Sequence, residues 1–154
     1  MRTLALLGAA LVAGATTACV RPEPVPRVTY ENAIRAVVAA RCADCHGADS
    51  PTLEVFKQNK KKYEDEETGP RMDTYEALMV FVNGADTGAL MRRLDDGANT
   101  KDGKPGNMHK HLGKTEAERA RNLGLFKRWV GGWTLKRKAE ITEAERAALL
   151  APRD

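Results

Sequence analysis

The chain is short of aromatics, cysteine and histidine. Aromatic residues fill 5% of its 154 positions, and there are three cysteines and three histidines. Alternation of apolar and polar residues is hard to find, which argues against a sheet-based fold. No βαβ pattern is present, so a doubly wound fold is excluded. The longest apolar run, Leu4 to Ala13, is too short to span a bilayer. No nucleic-acid motif accompanies the net charge of +4, which reads either as solubility or as a basic docking face. What is present is a hydrophobic fraction of 42%, enough for a modest core in a chain whose length suits one domain.

The amino-terminal pattern is that of export. Arg2 supplies a positive start, the apolar stretch follows, and Thr16-Thr17-Ala18-Cys19 resembles a bacterial lipobox. In that reading residues 1–18 are a signal peptide and Cys19 is lipidated. Thr16 stands where the motif usually has Leu, and ordinary cleavage after Ala15 or Ala18 gives a soluble periplasmic protein instead. Lipidation of Cys19 would account for the odd cysteine, leaving Cys42 and Cys45 as a pair. Residues 19–28 carry Pro22, Pro24 and Pro26, which favour an extended tether. Val20 follows Cys19, where enteric lipoproteins kept in the inner membrane have Asp; which membrane holds the lipid stays open.

Beyond residue 28 the periodicity is helical. Thr29 caps a helix with Ile34, Val37 and Val38 on one face, running into Cys42. Residues 57–67 place a basic run before an acidic one and read as a solvated helical turn or loop. Asp73 and Glu76 form a D-x-x-E start for a helix whose buried stripe is Tyr75, Leu78, Met79 and Val82, ended by Asn83-Gly84. A short helix holds Leu90, Met91 and Leu94. Residues 95–114 are glycine-rich and aperiodic, and a connection of that length is usually functional. Thr115 and Glu118 form a capping box for a helix with Leu123, Phe126, Val130 and Trp133, and Thr142 and Glu145 form another for a last short helix. The expected architecture is all-α with long loops.

Chemistry concentrates at R-C-A-D-C-H-G-A-D, residues 41–49. A redox dithiol would follow a strand and has no need of His46. Zinc needs four ligands; Cys42, Cys45 and His46 offer three, with His109 or His111 as a fourth, but the histidine usually lies well beyond the cysteine pair. Haem c requires this spacing. Two thiols with two residues between them reach the two vinyl groups, and the adjacent histidine lies under the iron. Export agrees, because thioether attachment in bacteria takes place outside the cytoplasm.

On these residues the chain resembles the class I cytochromes c. Cys42 and Cys45 correspond to the thioether cysteines and His46 to the proximal ligand. The helix from Thr29 to Arg41 and the helix from Thr115 correspond to the family's crossed terminal helices. Further along, G-A-L-M-R-R-L, P-G-N-M-H, T-E-A-E and F-K-R-W-V-G-G-W follow in the order of one sub-pattern of the family. The resemblance covers residues 29–133; it assigns no counterpart to 57–67 or to the extension 134–154. It implies a cytochrome c-like fold around one covalently attached haem c.

The resemblance also implies a distal ligand on the loop before the last helix. Met108 occupies that place, seven residues before Thr115, among the polar neighbours Asn107, His109 and Lys110. His109 and His111 are its rivals. Met79 and Met91 read as core, and Met72 comes early in the chain. Leu53, Leu94, Leu112 and Trp129 are candidates for the walls around the haem. Arg128, Lys136, Arg137 and Lys138 are candidates for a docking patch. The expected function is single-electron transfer between extracytoplasmic redox partners, a donor and an acceptor protein, with membrane attachment through Cys19. With both axial positions filled the protein is a carrier, not an enzyme. An open distal site would instead suit a peroxidase-type enzyme, and a stable partner would suit a sensor or the haem subunit of a larger complex.

Overall fold

The computed structural model describes residues 26–154. The expected signal peptide, Cys19 and most of the tether lie outside the described residues. Within them no helix is long and apolar enough to cross a membrane.

The first helical segment opens as a π-turn, Tyr30–Ile34, and continues as α1, Arg35–Arg41. Thr29 caps it: its hydroxyl accepts the Asn32 N–H, and the Asn32 side chain accepts the Thr29 N–H in return. Ile34, Val37 and Val38 are buried, as their spacing requires. After Cys42 comes α2, Ala43–His46, then α3, Leu53–Gln58, and α4, Lys60–Asp65. The charged run is therefore largely helical and solvated. Lys60–Glu64 and Lys61–Asp65 pair along α4, and Phe56 stacks on Tyr63.

The next helix, α5, spans Tyr75–Val82 and starts differently from expectation. Thr74, not Asp73, is its cap, with its hydroxyl accepting the Ala77 N–H at 3.2 Å. Asp73 is taken up by the Arg71 guanidinium, which holds its carboxyl below the usual range. Leu78, Phe81 and Val82 are buried, while Met79 is half-buried. Helix α6, Ala89–Leu94, packs against α5 and buries Leu90, Met91 and Leu94. The long loop that follows ends in a 3-10 turn, His109–Leu112.

Helix α7, Glu116–Val130, packs across the π-turn at the start of the first helix. Thr115 caps it by accepting the Glu118 N–H. The expected box is only half made: the Glu118 carboxylate accepts the Lys114 N–H and pairs with Arg41 instead. The buried stripe is Leu123, Phe126, Trp129 and Val130. Trp133 is not on it, because the helix stops at Gly131. Tyr30, Tyr75, Phe126 and Trp129 form one cluster of tilted and edge-on rings, with centroids 5.5 to 6.4 Å apart. Half of the eight aromatics are thus gathered where the terminal helices meet.

Residues 134–154 close the domain. After a 3-10 turn, Lys138–Glu140, the short α8, Glu143–Ala147, carries the expected Thr142–Glu145 capping box. The chain then runs back over the core. Leu149 and Ala151 are buried, and the Leu150 and Ala151 N–H groups donate to the Val130 and Trp129 carbonyls. The fold is all-α with long loops.

Candidate functional site

Cys42, Cys45 and His46 lie on one turn at the end of the first helical segment. The Cys42 carbonyl accepts the N–H groups of both Cys45 and His46, at 3.2 and 2.8 Å. That turn holds the three side chains on a short rigid arc. Both thiols are free of disulfide. Cys42 is half-buried, and burial pushes its thiol up to about 11, with Cys45 adding to the effect; Cys45 is exposed.

Residues 69–72 wrap the far side of this turn. Gly69 N–H donates to the Cys45 carbonyl at 2.7 Å, and Met72 N–H donates to the His46 carbonyl at 2.9 Å. The imidazole itself is fixed by one bond: Nδ1 lies 2.6 Å from the Pro70 carbonyl oxygen. That oxygen only accepts, so Nδ1 carries the proton and Nε2 keeps its lone pair. Gly69 makes room for the ring. A Cβ there would fall 2.0 Å from His46 Cε1. Burial lowers the basicity of His46, the Pro70 bond opposes this, and the positive fields of Arg93 and His111 lower it further.

The Met108 segment is held by backbone bonds to α6 and to its own turn. Met108 N–H donates to the Arg93 carbonyl at 3.0 Å, and His111 N–H donates to the Met108 carbonyl at 3.0 Å. The turn His109–Leu112 packs on α1, α6 and α7. Met108 is half-buried against the core, His109 is half-buried and His111 is exposed. Of the other methionines, Met91 is fully buried and its sulfur accepts the Thr134 N–H at 3.3 Å, so it is core. Met72 is half-buried against the core, and its N–H donates to the His46 carbonyl.

Leu53, Leu94 and Leu112 are buried in the hydrophobic core. Trp129 is buried between Tyr30 and Phe126, and its indole N–H donates to the Pro152 carbonyl at 2.8 Å. In the basic group, Lys136 pairs with Glu145 and Lys138 donates to the Ala85 carbonyl, while Arg128 and Arg137 are exposed. Among the described residues no cluster of three or more His, Cys, Asp or Glu side chains is arranged to hold a bare metal ion.

The donor set fits a haem. Two free thiols and one imidazole nitrogen, oriented by a backbone carbonyl, are what covalent attachment and axial ligation require. The family model for PccH cytochrome c matches residues 29–149. The chain belongs to the PccH cytochrome c family. The match includes residues 57–67 and continues past Trp133 through the segment that closes the core. Among solved structures, the monohaem cytochrome PccH from Geobacter sulfurreducens is 51% identical, with a TM-score of 0.77, covering 82% of this chain and 99% of that one. No curated protein matches. Membership in this family makes the chain a c-type cytochrome with one covalently attached haem c and a role in electron transfer.

Sequence reasoning missed Gly69 and Pro70 as functional residues. Their adjacency, one open position followed by one rigid carbonyl, was the available signal.

Proposed function

We propose that Cys42 and Cys45 carry the haem as thioethers, that His46 Nε2 is the proximal ligand, and that Met108 is the distal ligand. The observation that carries this reading is the His46 imidazole, whose Nδ1 is engaged by Pro70 so that Nε2 alone is left to bind iron. When bound, the haem supplies an iron that changes by one electron. The chain's own residues set the conditions. Pro70 holds the imidazole at one orientation and raises its basicity as a ligand. The buried Leu53, Leu94 and Leu112 exclude water. A thioether from Met108 is a soft ligand that favours Fe(II), so the potential lies above that of a bis-histidine site formed with His109 or His111.

With both axial positions filled the protein is an electron carrier, not an enzyme. We place it outside the cytoplasm, between a donor and an acceptor protein, and attached to a membrane through lipidated Cys19. Exposed Arg128 and Arg137 favour an acidic docking partner.

The oxidised spectrum and pyridine haemochrome of the mature protein test the assignment. The expected results are one haem per chain and a methionine-to-iron charge-transfer band that vanishes in Met108→Ala and persists in His109→Ala and His111→Ala. A high-spin oxidised spectrum with rapid cyanide binding in the wild type would overturn the carrier reading in favour of a peroxidase-type enzyme. Mass spectrometry of the membrane fraction reads the lipid on Cys19 separately.

A further inference from the structure

The loop between α6 and the Met108 turn has little regular structure, yet it leaves and returns at one place. Helix α6 ends at Leu94 with carbonyls that need donors. The loop supplies them as it returns. Gly106 N–H donates to the Asp95 carbonyl at 2.8 Å, and Met108 N–H donates to the Arg93 carbonyl at 3.0 Å. The Arg93 guanidinium bonds Asn107 Oδ1 at 3.0 Å. Close approach is obligatory here: a Cβ at Gly106 would lie 2.3 Å from the Arg93 carbonyl oxygen. The backbone of Met108 is therefore docked on the last turn of α6.

The outgoing side of the loop is held by a buried charge. Asp95 is 0% exposed. Its Oδ1 accepts the Gly97 N–H at 2.8 Å, and its Oδ2 accepts the Trp133 indole N–H at 2.9 Å. Trp133 lies just past the end of α7, with the Lys127 ammonium 5.7 Å from its ring centre. Lys127 also bonds Asp96 at 3.2 Å. A buried carboxylate is costly unless fully bonded, and here its bonds go to the outgoing loop and to the end of α7. Its backbone carbonyl meanwhile takes the returning loop. One residue ties three segments.

We infer that Asp95, through its bond to Trp133, is the positioning residue that locks the Met108 loop onto α6 and so determines how firmly Met108 is held at its axial position. The inference rests on the reading of Met108 as distal ligand. Asp95→Asn keeps one acceptor oxygen but turns an NH2 group toward one of the two donors, so one of them loses its partner. Trp133→Phe removes the indole donor and keeps a ring.

The test is imidazole titration of the oxidised holoprotein, followed by the methionine-to-iron band. Both variants retain the band without imidazole, and imidazole displaces Met108 at a concentration about tenfold lower than in the wild type. Tyr75→Phe, which loses a bond to Ala151 remote from this loop, binds imidazole within about twofold of wild type. Wild-type imidazole affinity in Asp95→Asn and Trp133→Phe overturns the inference, as does an equal gain in Tyr75→Phe, which would mark general loosening. Where Asp95→Asn yields no holoprotein, Trp133→Phe decides alone. If the wild type shows no band that depends on Met108, the ligand assignment and this inference fall together. If the band is present and the variants behave as wild type, only the inference falls.

Discussion

Trp129 and Pro152 are joined by a hydrogen bond from the indole N–H to the carbonyl, 2.8 Å long, across the crossing of the terminal helices. The same carbonyl accepts the Tyr30 N–H at 2.9 Å, and the Tyr75 hydroxyl bonds the adjacent Ala151 carbonyl at 3.0 Å. The last residues thus satisfy donors from both α7 and the first helical segment, and they cover the aromatic cluster.

From this follows a stability prediction. Trp129→Phe keeps an aromatic ring but loses the bond, at a cost of about 1 kcal/mol plus the packing lost with the smaller ring. A chain ending at residue 148 loses Leu149, Ala151 and every bond to Pro152, and is destabilised further. Denaturant midpoints of the holoprotein followed by far-ultraviolet circular dichroism measure both. A truncated chain as stable as the full one would show the closing segment to be dispensable.

Gly69 and Pro70 give opposite expectations although they are neighbours. Gly69→Ala drives a methyl into the His46 ring, and overpacking of this kind costs about 1–3 kcal/mol. The ring must tilt away from the Pro70 carbonyl, so the potential and the spectrum change with stability. Pro70→Ala keeps the carbonyl that accepts from Nδ1, and its spectrum stays close to wild type. Equal perturbation by the two substitutions would mean that the pyrrolidine ring matters more than the carbonyl.

Cys42, Cys45 and His46 stand out in the sequence because their spacing is local, and the structure keeps the three on one turn. The helices around Val37, Leu78 and Phe126 were legible because burial on one face leaves a 3.6-residue period. Their starts were less so. Asp73 and Thr74 both suit a cap, and the choice fell to Thr74 because Arg71 captures Asp73. Glu118 likewise serves Lys114 and Arg41, which no local pattern reveals. Pro70 was missed because a carbonyl acceptor belongs to every residue type, and its partner lies 24 positions away. Asp95 was hidden in a glycine-rich stretch, because its burial is made by Trp133, 38 positions on.

On the proposed assignment of Met108 as distal ligand, Met91 and Met108 separate core from ligand by a single chemical comparison. Met91→Leu preserves volume at full burial and costs less than about 1.5 kcal/mol, with the charge-transfer band intact. Met108→Leu is a milder change by packing, since Met108 is only half-buried, yet it removes the band and leaves the iron open to added ligands. Met91→Ala, by contrast, costs about 2–5 kcal/mol from the cavity it leaves. Loss of the band in Met91→Leu with retention in Met108→Leu would reverse the two roles.

The last expectation concerns pH. Glu145 accepts from the Lys136 ammonium at 2.6 Å and from the Thr142 N–H at 2.9 Å. Those bonds, the lysine first, pull its carboxyl from the ordinary 4.5 down to about 2. A folded-state value below the unfolded one means that the carboxylate stabilises the α8 capping box above pH 4.5, and that this contribution is lost as pH falls toward about 2. Carbon-detected NMR titration of Glu145 in the reduced protein should therefore find it ionised at pH 3.5, when an unpaired glutamate is mostly protonated. Added salt should raise the midpoint, because the pair with Lys136 is exposed and screened. Lys136→Gln should move it part of the way back toward 4.5, because the Thr142 bonds remain, and Glu145→Gln should remove the acid-dependent part of the α8 unfolding. A midpoint near 4.5 in the wild type, unaffected by salt, would show that Lys136 and Thr142 do not hold this carboxylate in solution.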